Sequence, residues 1–361
     1  MTKVLVGMSG GIDSSVAAYL LKQQGYDVTG VTMAIWKEGR EFHGDLNANA
    51  CFAPSETKDI KKTEEICESL GIKHMTLDIS ELYERIVLGN FKSEYLDGRT
   101  PNPCVWCNQK IKFGAMVERA REAGIEFDYF ATGHYARIEK QQNGRYALLR
   151  STDLSKDQSY FLYRLSQKQL SETLFPLGGM TKKEVREIDV SLGFHPAGMT
   201  ESQDFYSGSY SDLLDVEPKV GNIVNKDGKI LGKHKGVWNY TIGQRKGLGI
   251  GAERPLYVTE LRVKANEVVV GFEEETKDVS VTASQIVWGA VETIEKEIEV
   301  SAKIRSAGLS YECKASLTED GKIKAVFKNP VKAATCGQSL VLYDGDNVLC
   351  GGIIEDKERL I

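Results

Sequence analysis

The run Gly7-Met8-Ser9-Gly10-Gly11-Ile12-Asp13-Ser14-Ser15 constrains this chain more than any other stretch. Ahead of it, Lys3 to Met8 reads as a short apolar strand. Behind it, Ser14 to Gln24 carries apolar residues at helical spacing and stops before Gly25. A strand that feeds a helix through a glycine-rich turn lets the main chain approach a phosphate, and the helix start adds free N–H groups and positive dipole character. Ser9, Ser14 and Ser15 offer hydroxyl donors. The run lacks the Gly-Lys-Ser/Thr of a Walker loop and the Gly-x-Gly-x-x-Gly of a dinucleotide site, so it predicts a nucleotide phosphate loop of another kind.

The rest of the first 135 residues keeps the strand and helix alternation of a parallel sheet covered by helices. Asp27 to Met33, His74 to Ile79 and Phe127 to Thr132 read as strands. Ser55 is expected to cap a helix that contains Lys58 to Leu70 and ends at Gly71, and Ser80 to cap a third. The fold class expected is a doubly wound α/β domain. Tyr135 to Glu139 and Arg145 to Arg150 flank Asn143-Gly144, a hairpin signal, and predict an antiparallel addition to that sheet. Lys182 to Leu192 reads as a further helix. The boundaries expected are 1–200 for the α/β domain, 201–275 for a small glycine-rich central domain and 276–361 for an all-β barrel. The barrel is signalled by alternation in Ile298 to Ile304, Glu312 to Leu317 and Lys322 to Phe327.

No apolar run reaches the length of a membrane span, and Met-Thr-Lys-Val-Leu-Val-Gly has no signal-peptide core, so a cytoplasmic protein without membrane partners is expected. The net charge of −5 argues against indiscriminate nucleic-acid binding. A local basic stripe nevertheless carries Lys219, Lys226, Lys229, Lys233, Lys235, Arg245 and Lys246 against Asp227, with Trp238 and Tyr240 interleaved. By itself such a stripe reads as a solvated surface.

Seven cysteines placed irregularly do not form a secreted disulfide framework. Cys104 and Cys107 stand two residues apart in Asn102-Pro103-Cys104-Val105-Trp106-Cys107-Asn108, after the turn-forming Gly98 to Pro103 and before a helix expected over Lys110 to Ala123. A thiol near a helix N-terminus has its thiolate stabilised, so the pair suits redox or persulfide chemistry. Structural zinc normally asks for a second pair, and none is present; an iron–sulfur cluster with a ligand from elsewhere stays open. Cys51, Cys67, Cys313, Cys336 and Cys350 read as small buried residues.

The loop resembles the Ser-Gly-Gly-x-Asp-Ser-Ser signature of ATP pyrophosphatases, the PP-loop enzymes. Several longer motifs narrow the resemblance to the bacterial tRNA-specific 2-thiouridylases: Thr100-Pro101-Asn102-Pro103 with Cys107-Asn108 and Ile111-Lys112-Phe113, Ala131 to Ala136, Lys156 to Leu162, and Glu201-Ser202-Gln203-Asp204. Gly221 to Val224, Gly243 to Gly249 and Gly337-Gln338-Ser339 extend it over almost the whole chain. The resemblance implies that ATP is cleaved between its α and β phosphates with magnesium, that AMP is placed on the 2-oxygen of a tRNA wobble uridine, and that a cysteine-borne sulfur then displaces AMP. It implies an ATP site at Gly7, Met8, Ser9, Gly10, Gly11, Ile12, Asp13, Ser14, Met33 and Gly133, with Cys107 as nucleophile. It also implies tRNA contacts at Asn102, Pro103, Cys104, His134, Lys156, Asp157, Gln158, Arg305 and Gln338, and a cysteine desulfurase or sulfur-relay protein as donor.

Two departures from that family bear on the sulfur. Cys104 stands where the family commonly has Asp, and Tyr206 stands where it has a second, persulfide-bearing cysteine. Cys104 is therefore expected to partner Cys107, by receiving sulfur and resolving a disulfide or by helping to hold an iron–sulfur cluster. A smaller departure is Arg305-Ser306 in place of Arg-Tyr. Rival readings are an adenylating amidotransferase or ligase, in which the cysteines are idle, and a tRNA-binding protein that has lost thiolation.

Overall fold

The computed structural model describes residues 1–37, 39–45, 50–196, 198–199 and 205–360; the Glu201 to Asp204 motif lies outside the described residues. The chain forms two compact units. The first comprises Met1–Leu88, Pro103–Ser209 and Asp346–Val348, and the second Gly89–Asn102, Tyr210–Gly345 and Leu349–Ile361.

In chain order the first stretch supplies β1 (Lys3–Gly7), α1 (Ile12–Gln23), β2 (Asp27–Ala34), α2 (Glu56–Leu70) and β3 (Lys73–Asp78). Helix α3 (Ser80–Tyr83) runs on through wide π turns at Glu84–Leu88 into α4 (Gly89–Leu96). Next come α5 (Pro103–Trp106), a π segment at Cys107–Ala115, α6 (Met116–Glu122) and β4 (Tyr129–Thr132). A hairpin of β5 (Ala136–Lys140) and β6 (Tyr146–Arg150) precedes α7 (Ser159–Leu162), α8 (Gln167–Ser171), β7 (Thr173–Leu174) and α9 (Lys182–Leu192).

The sheet of the first unit has the order β3-β2-β1-β4-β7 with every neighbouring pair parallel. Val4, Leu5 and Val6 on β1 are at most 1% exposed, the continuous apolar run of a strand covered on both faces. Strand order reverses at β1, so the crevice beyond its carboxyl end is where an open α/β sheet holds its ligand. The doubly wound class is as expected, but the hairpin is not part of this sheet. Strand β6 pairs with β5 and, through Leu149, with Asn347 instead. Alternation marks a strand without naming its neighbour, and the short β7 takes the edge position.

Helix starts differ from expectation in three places. Ser55 has helical backbone angles and its side chain makes no capping bond. Ser80 is the first residue of its helix, with its N–H donated to Asp78 Oδ1 at 2.9 Å. The helix expected from Lys110 begins at Pro103, whose fixed φ suits a first turn, so both cysteines of the pair lie inside it.

The second unit holds two sheets. Strands β8 (Gly221–Val224), β9 (Ile230–His234), β10 (Tyr257–Arg262) and β11 (Glu267–Gly271) form one in the order β10-β11-β8-β9, around buried Ile223, Val258 and Val268. The other contains β12 (Lys277–Trp288), β13 (Ile298–Lys303), β14 (Tyr311–Leu317), β15 (Ile323–Lys332), β16 (Ser339–Asp344) and β17 (Asn347–Arg359). These six run β12-β15-β14-β13-β16-β17, and pairing of β12 with β17 closes the expected barrel.

Candidate active site

Beyond β1 the chain turns at Gly10, whose φ of +70° is left-handed. A Cβ there would come within 2.8 Å of the Asp59 carbonyl oxygen and 3.0 Å of Thr63 Oγ1. Gly11 then occupies the N-cap of α1. Met8 and Ile12 are buried and anchor the turn on either side. The three serines divide. Ser9 is exposed, whereas Ser14 Oγ donates to the Gly11 carbonyl at 3.1 Å and accepts from the Ser9 N–H at 3.2 Å. Ser15 is fully buried and donates to the same carbonyl at 2.9 Å. Of the three hydroxyl donors expected, Ser14 and Ser15 thus turn back to the loop's own carbonyl, and Ser9 Oγ, on the exposed residue, lies 3.3 Å from Ser14 Oγ.

Residues after β4 close on this loop at the point where strand order reverses. A Cβ on Gly133 would lie 2.5 Å from the Asp13 carbonyl carbon and 2.7 Å from Ser14 N, so only glycine allows the approach. Met33, at the carboxyl end of β2, is half-buried on the other side of β1.

Four residues that sequence reasoning missed support the loop. Asp13 Oδ1 accepts from Lys182 Nζ at 2.7 Å and from the Tyr135 hydroxyl at 2.8 Å. Lys182 is the first residue of α9, which Thr181 and Glu184 open with a capping box. The His195 ring bridges Asp189 Oδ1 at 2.6 Å and the Gly10 carbonyl at 2.9 Å. Burial, opposed by Asp13, holds the Lys182 ammonium below its ordinary pKa. None of these partners is near the loop in sequence: Tyr135 shows only as a member of the Ala131 to Ala136 motif and of the strand read from Tyr135 to Glu139, Lys182 and Asp189 only within the helical pattern of Lys182 to Leu192, and His195 not at all.

Cys104 and Cys107 sit on the first turns of the helix that starts at Pro103, both half-buried. Helix-start activation does not prevail at Cys107. Burial pushes its thiol up to about 11, with Lys112 pulling weakly the other way. Asn108 beside it donates to the Phe161 carbonyl at 3.1 Å, binding this helix to the Lys156 to Leu162 motif. Of the five other cysteines, Cys67, Cys313 and Cys350 are buried as expected; Cys336 is half-buried and Cys51 is exposed. Among the described residues no three His, Cys, Asp or Glu side chains group closely enough to hold a metal ion, so the cysteine pair does not by itself suit an iron–sulfur cluster.

The other expected tRNA contacts are mixed in character. Lys156 is exposed. Asp157 accepts from the N–H groups of Ser151 and Ser159, and Gln158 Oε1 accepts from the Tyr135 N–H at 2.9 Å, so both brace the fold behind Gly133. His134 bonds Thr132 at 2.7 Å and packs its ring against Phe113 and Phe175; burial holds it well below its ordinary pKa, hence neutral. In the second unit Asn102 is buried, and Gln338 Nε2 donates to the carbonyls of Thr100 and Pro101 at 3.1 and 2.9 Å. Arg305 directs one guanidinium nitrogen to the Ala333 carbonyl at 2.6 Å and to Thr335 Oγ1 at 3.1 Å, which ties it into the fold. All seven cations from Lys219 to Lys246 are exposed, while Trp238 and Tyr240 pack on the core of the four-stranded sheet.

Comparison with known proteins covers the chain from end to end. Residues 2–206 match the family described as tRNA methyl transferase HUP domain, 214–272 its PRC-barrel domain, and 278–354 the aminomethyltransferase beta-barrel domain. The tRNA-specific 2-thiouridylase MnmA of Endomicrobium trichonymphae is 46% identical over 355 residues, covering 98% of both chains. That of Clostridium beijerinckii is 46% identical over 362 residues, again with 98% of each chain covered. A second MnmA of Thermoanaerobacter sp. is 46% identical over 365 residues and 98% of each chain. The domain descriptions carry a methyl-transfer label, but the relatives that align over the full length are named for thiolation. Identity at this level along the whole length, with a glycine-rich loop at the strand-order reversal and a cysteine pair on the helix that starts at Pro103, means that the chain belongs to the tRNA-specific 2-thiouridylase family.

Proposed function

We propose that this chain catalyses ATP-dependent 2-thiolation of the wobble uridine of tRNA. The observation that carries the reading is the loop from Gly7 to Ser14, closed over by Gly133 at the reversal of strand order. Such a loop grips the pyrophosphate end of ATP through its N–H groups while the α-phosphate is attacked by the 2-oxygen of uridine. The oxygen, a poor leaving group, departs as AMP, splitting one difficult displacement into two easier ones. Magnesium, when bound, would neutralise the departing pyrophosphate, and Asp13 is the loop carboxylate that would hold it.

Cys107 delivers the sulfur, and Cys104 is the partner that completes the transfer. A persulfide on Cys107 attacks C2 of the adenylated base through its outer sulfur and expels AMP, giving a base–S–S–Cys107 adduct. The Cys104 thiolate then attacks the inner sulfur, forming a Cys104–Cys107 disulfide and releasing 2-thiouridine. The two electrons that reduce the sulfane sulfur come from the two thiols, and an external dithiol resets the pair. The donor is a persulfide-bearing protein such as a cysteine desulfurase. The basic stripe from Lys219 to Lys246 positions the tRNA by phosphate contacts, and the extruded base supplies selectivity. A division at residues 200 and 275 assigns adenylation, tRNA positioning and bracing of the Thr100–Pro101 turn to successive domains.

The test is a thiolation assay with wobble-uridine tRNA, read by nucleoside mass spectrometry. Wild type is expected to make 2-thiouridine and Cys107→Ser none, with Cys104→Ser stalled at the base–protein adduct. Full activity of Cys104→Ser removes the partner role, and absence of 2-thiouridine from the wild-type reaction sinks the proposal.

A further inference from the structure

We infer that Cys51 is the thiol through which sulfur enters this protein, standing in for the cysteine that Tyr206 replaces. The inference rests on the reading of Cys107 as the nucleophile.

Three spatial relationships converge on Cys51. It is exposed, unlike the buried thiols of Cys67, Cys313 and Cys350. Its neighbour Phe52 donates its N–H to the Phe205 carbonyl at 3.0 Å and places its ring 6.5 Å from that of Tyr206, so the Cys51 stretch runs beside the position where a sulfur carrier is missing. Phe52 also stacks on Tyr83 at 5.4 Å, and the helix bearing Tyr83 packs on the helix that carries Cys104 and Cys107. The buried Tyr83 phenol consequently feels the charge of all three thiols, Cys51, Cys104 and Cys107, and Cys107 feels that of Cys51.

Chemistry supplies the need. A thiol pushed up to about 11 and half-buried, as Cys107 is, is a poor first acceptor for sulfur carried by another protein. An exposed thiol can meet the donor at the surface. In the first step the Cys51 thiolate attacks the outer sulfur of the donor persulfide, forming Cys51–S–SH and releasing the donor thiolate. In the second, the Cys107 thiolate attacks the outer sulfur on Cys51, forming Cys107–S–SH and regenerating the Cys51 thiolate. Each step exchanges one S–S bond for another, so neither needs an oxidant or reductant.

The experiment feeds full-length protein with a cysteine desulfurase and 35S-cysteine, and follows both persulfidated peptides and thiolated tRNA. Cys107→Ser is expected to hold label on Cys51 and to make no 2-thiouridine. Cys51→Ser is expected to keep the wild-type unfolding midpoint and to lose at least tenfold in thiolation with the desulfurase. Inorganic polysulfide, small enough to reach Cys107 directly, should restore that variant to within threefold of wild type. Wild-type rates for Cys51→Ser with the desulfurase, beside an inactive Cys107→Ser, overturn this inference alone. A loss that polysulfide does not relieve also overturns it, since it marks a structural role. Activity in Cys107→Ser instead removes the reading beneath it.

Discussion

Lys182 Nζ lies 2.7 Å from Asp13 Oδ1, so the first residue of α9 is tied to the phosphate loop across 169 positions of sequence. The lysine side chain is 10% exposed and the aspartate 26%, and Asp13 keeps Tyr135 as a second donor. Lys182→Gln is therefore expected to cost about 2 kcal/mol, less than a fully buried pair, and to weaken ATP binding. Denaturant unfolding and ATP–pyrophosphate exchange check both, and unchanged exchange would detach Lys182 from the loop's function.

Gly133→Ala places a methyl group against the main chain of Asp13 and Ser14. The loop and the residues after β4 must separate, and pyrophosphate exchange is expected to fall tenfold or more, about 1.4 kcal/mol per factor of ten. Because the second unit is untouched, tRNA binding, which the proposed function puts on the basic stripe, should persist. Equal loss of both activities would point to general misfolding.

Alkylation should read the burial of Cys107 directly. With its thiol raised to about 11, the rate with iodoacetamide is expected to climb about tenfold per pH unit from pH 7 toward that value, as the thiolate fraction does. Exposed Cys51 should react first at pH 8. Peptide mass spectrometry separates the two, and a Cys107 midpoint near the ordinary 9.0 would mean the site opens to water.

His134 has a folded-state pKa well below its ordinary 6.5, because burial disfavours the imidazolium. Below pH 6.5 the unfolded chain takes up a proton that the folded chain refuses, so this group's contribution, present above 6.5, is lost as pH falls. Unfolding free energies measured between pH 7.5 and 5 should decline with a slope that His134→Gln reduces. Identical slopes would place the titration elsewhere.

Replacing Lys233, Lys235 and Arg245 together should lower the magnitude of the salt slope of tRNA binding by about 2 to 3, roughly one per lost phosphate contact. Filter binding across a salt series measures it. An unchanged slope would return the stripe to ordinary solvated surface.

What was legible in the sequence followed from local rules. The Ser9 to Ser15 run, the stop at Gly71 with its left-handed backbone, and α9 over Lys182–Leu192 all depend on residues within a turn or two of one another. The barrel strands could be read from alternation, because one face of each meets a core. What escaped depends on partners distant in sequence. No pattern in Ser15 says that its hydroxyl turns back to Gly11, and none in Lys182 announces Asp13. Cys107 carried a misleading local signal, a helix start, that burial by distant elements reversed. Cys51 looked like filler for the same reason, since only the neighbouring Phe205 and Tyr206 give it a setting.

Gln338 reaches back 238 and 237 positions to hold the carbonyls of Thr100 and Pro101, and Cys336 accepts the Thr100 N–H at 2.9 Å. On a ribosome, these anchors emerge after nearly everything else, and the barrel that carries them closes only when β17 meets β12. The nascent chain can fold its nucleotide loop early, yet the turn leading to the cysteine pair has no seat until translation is almost finished. Abortive products shortened before residue 336 would thus lack every anchor of the Thr100–Pro101 turn, although Lys182 and His195, which support the loop after β1, are already made.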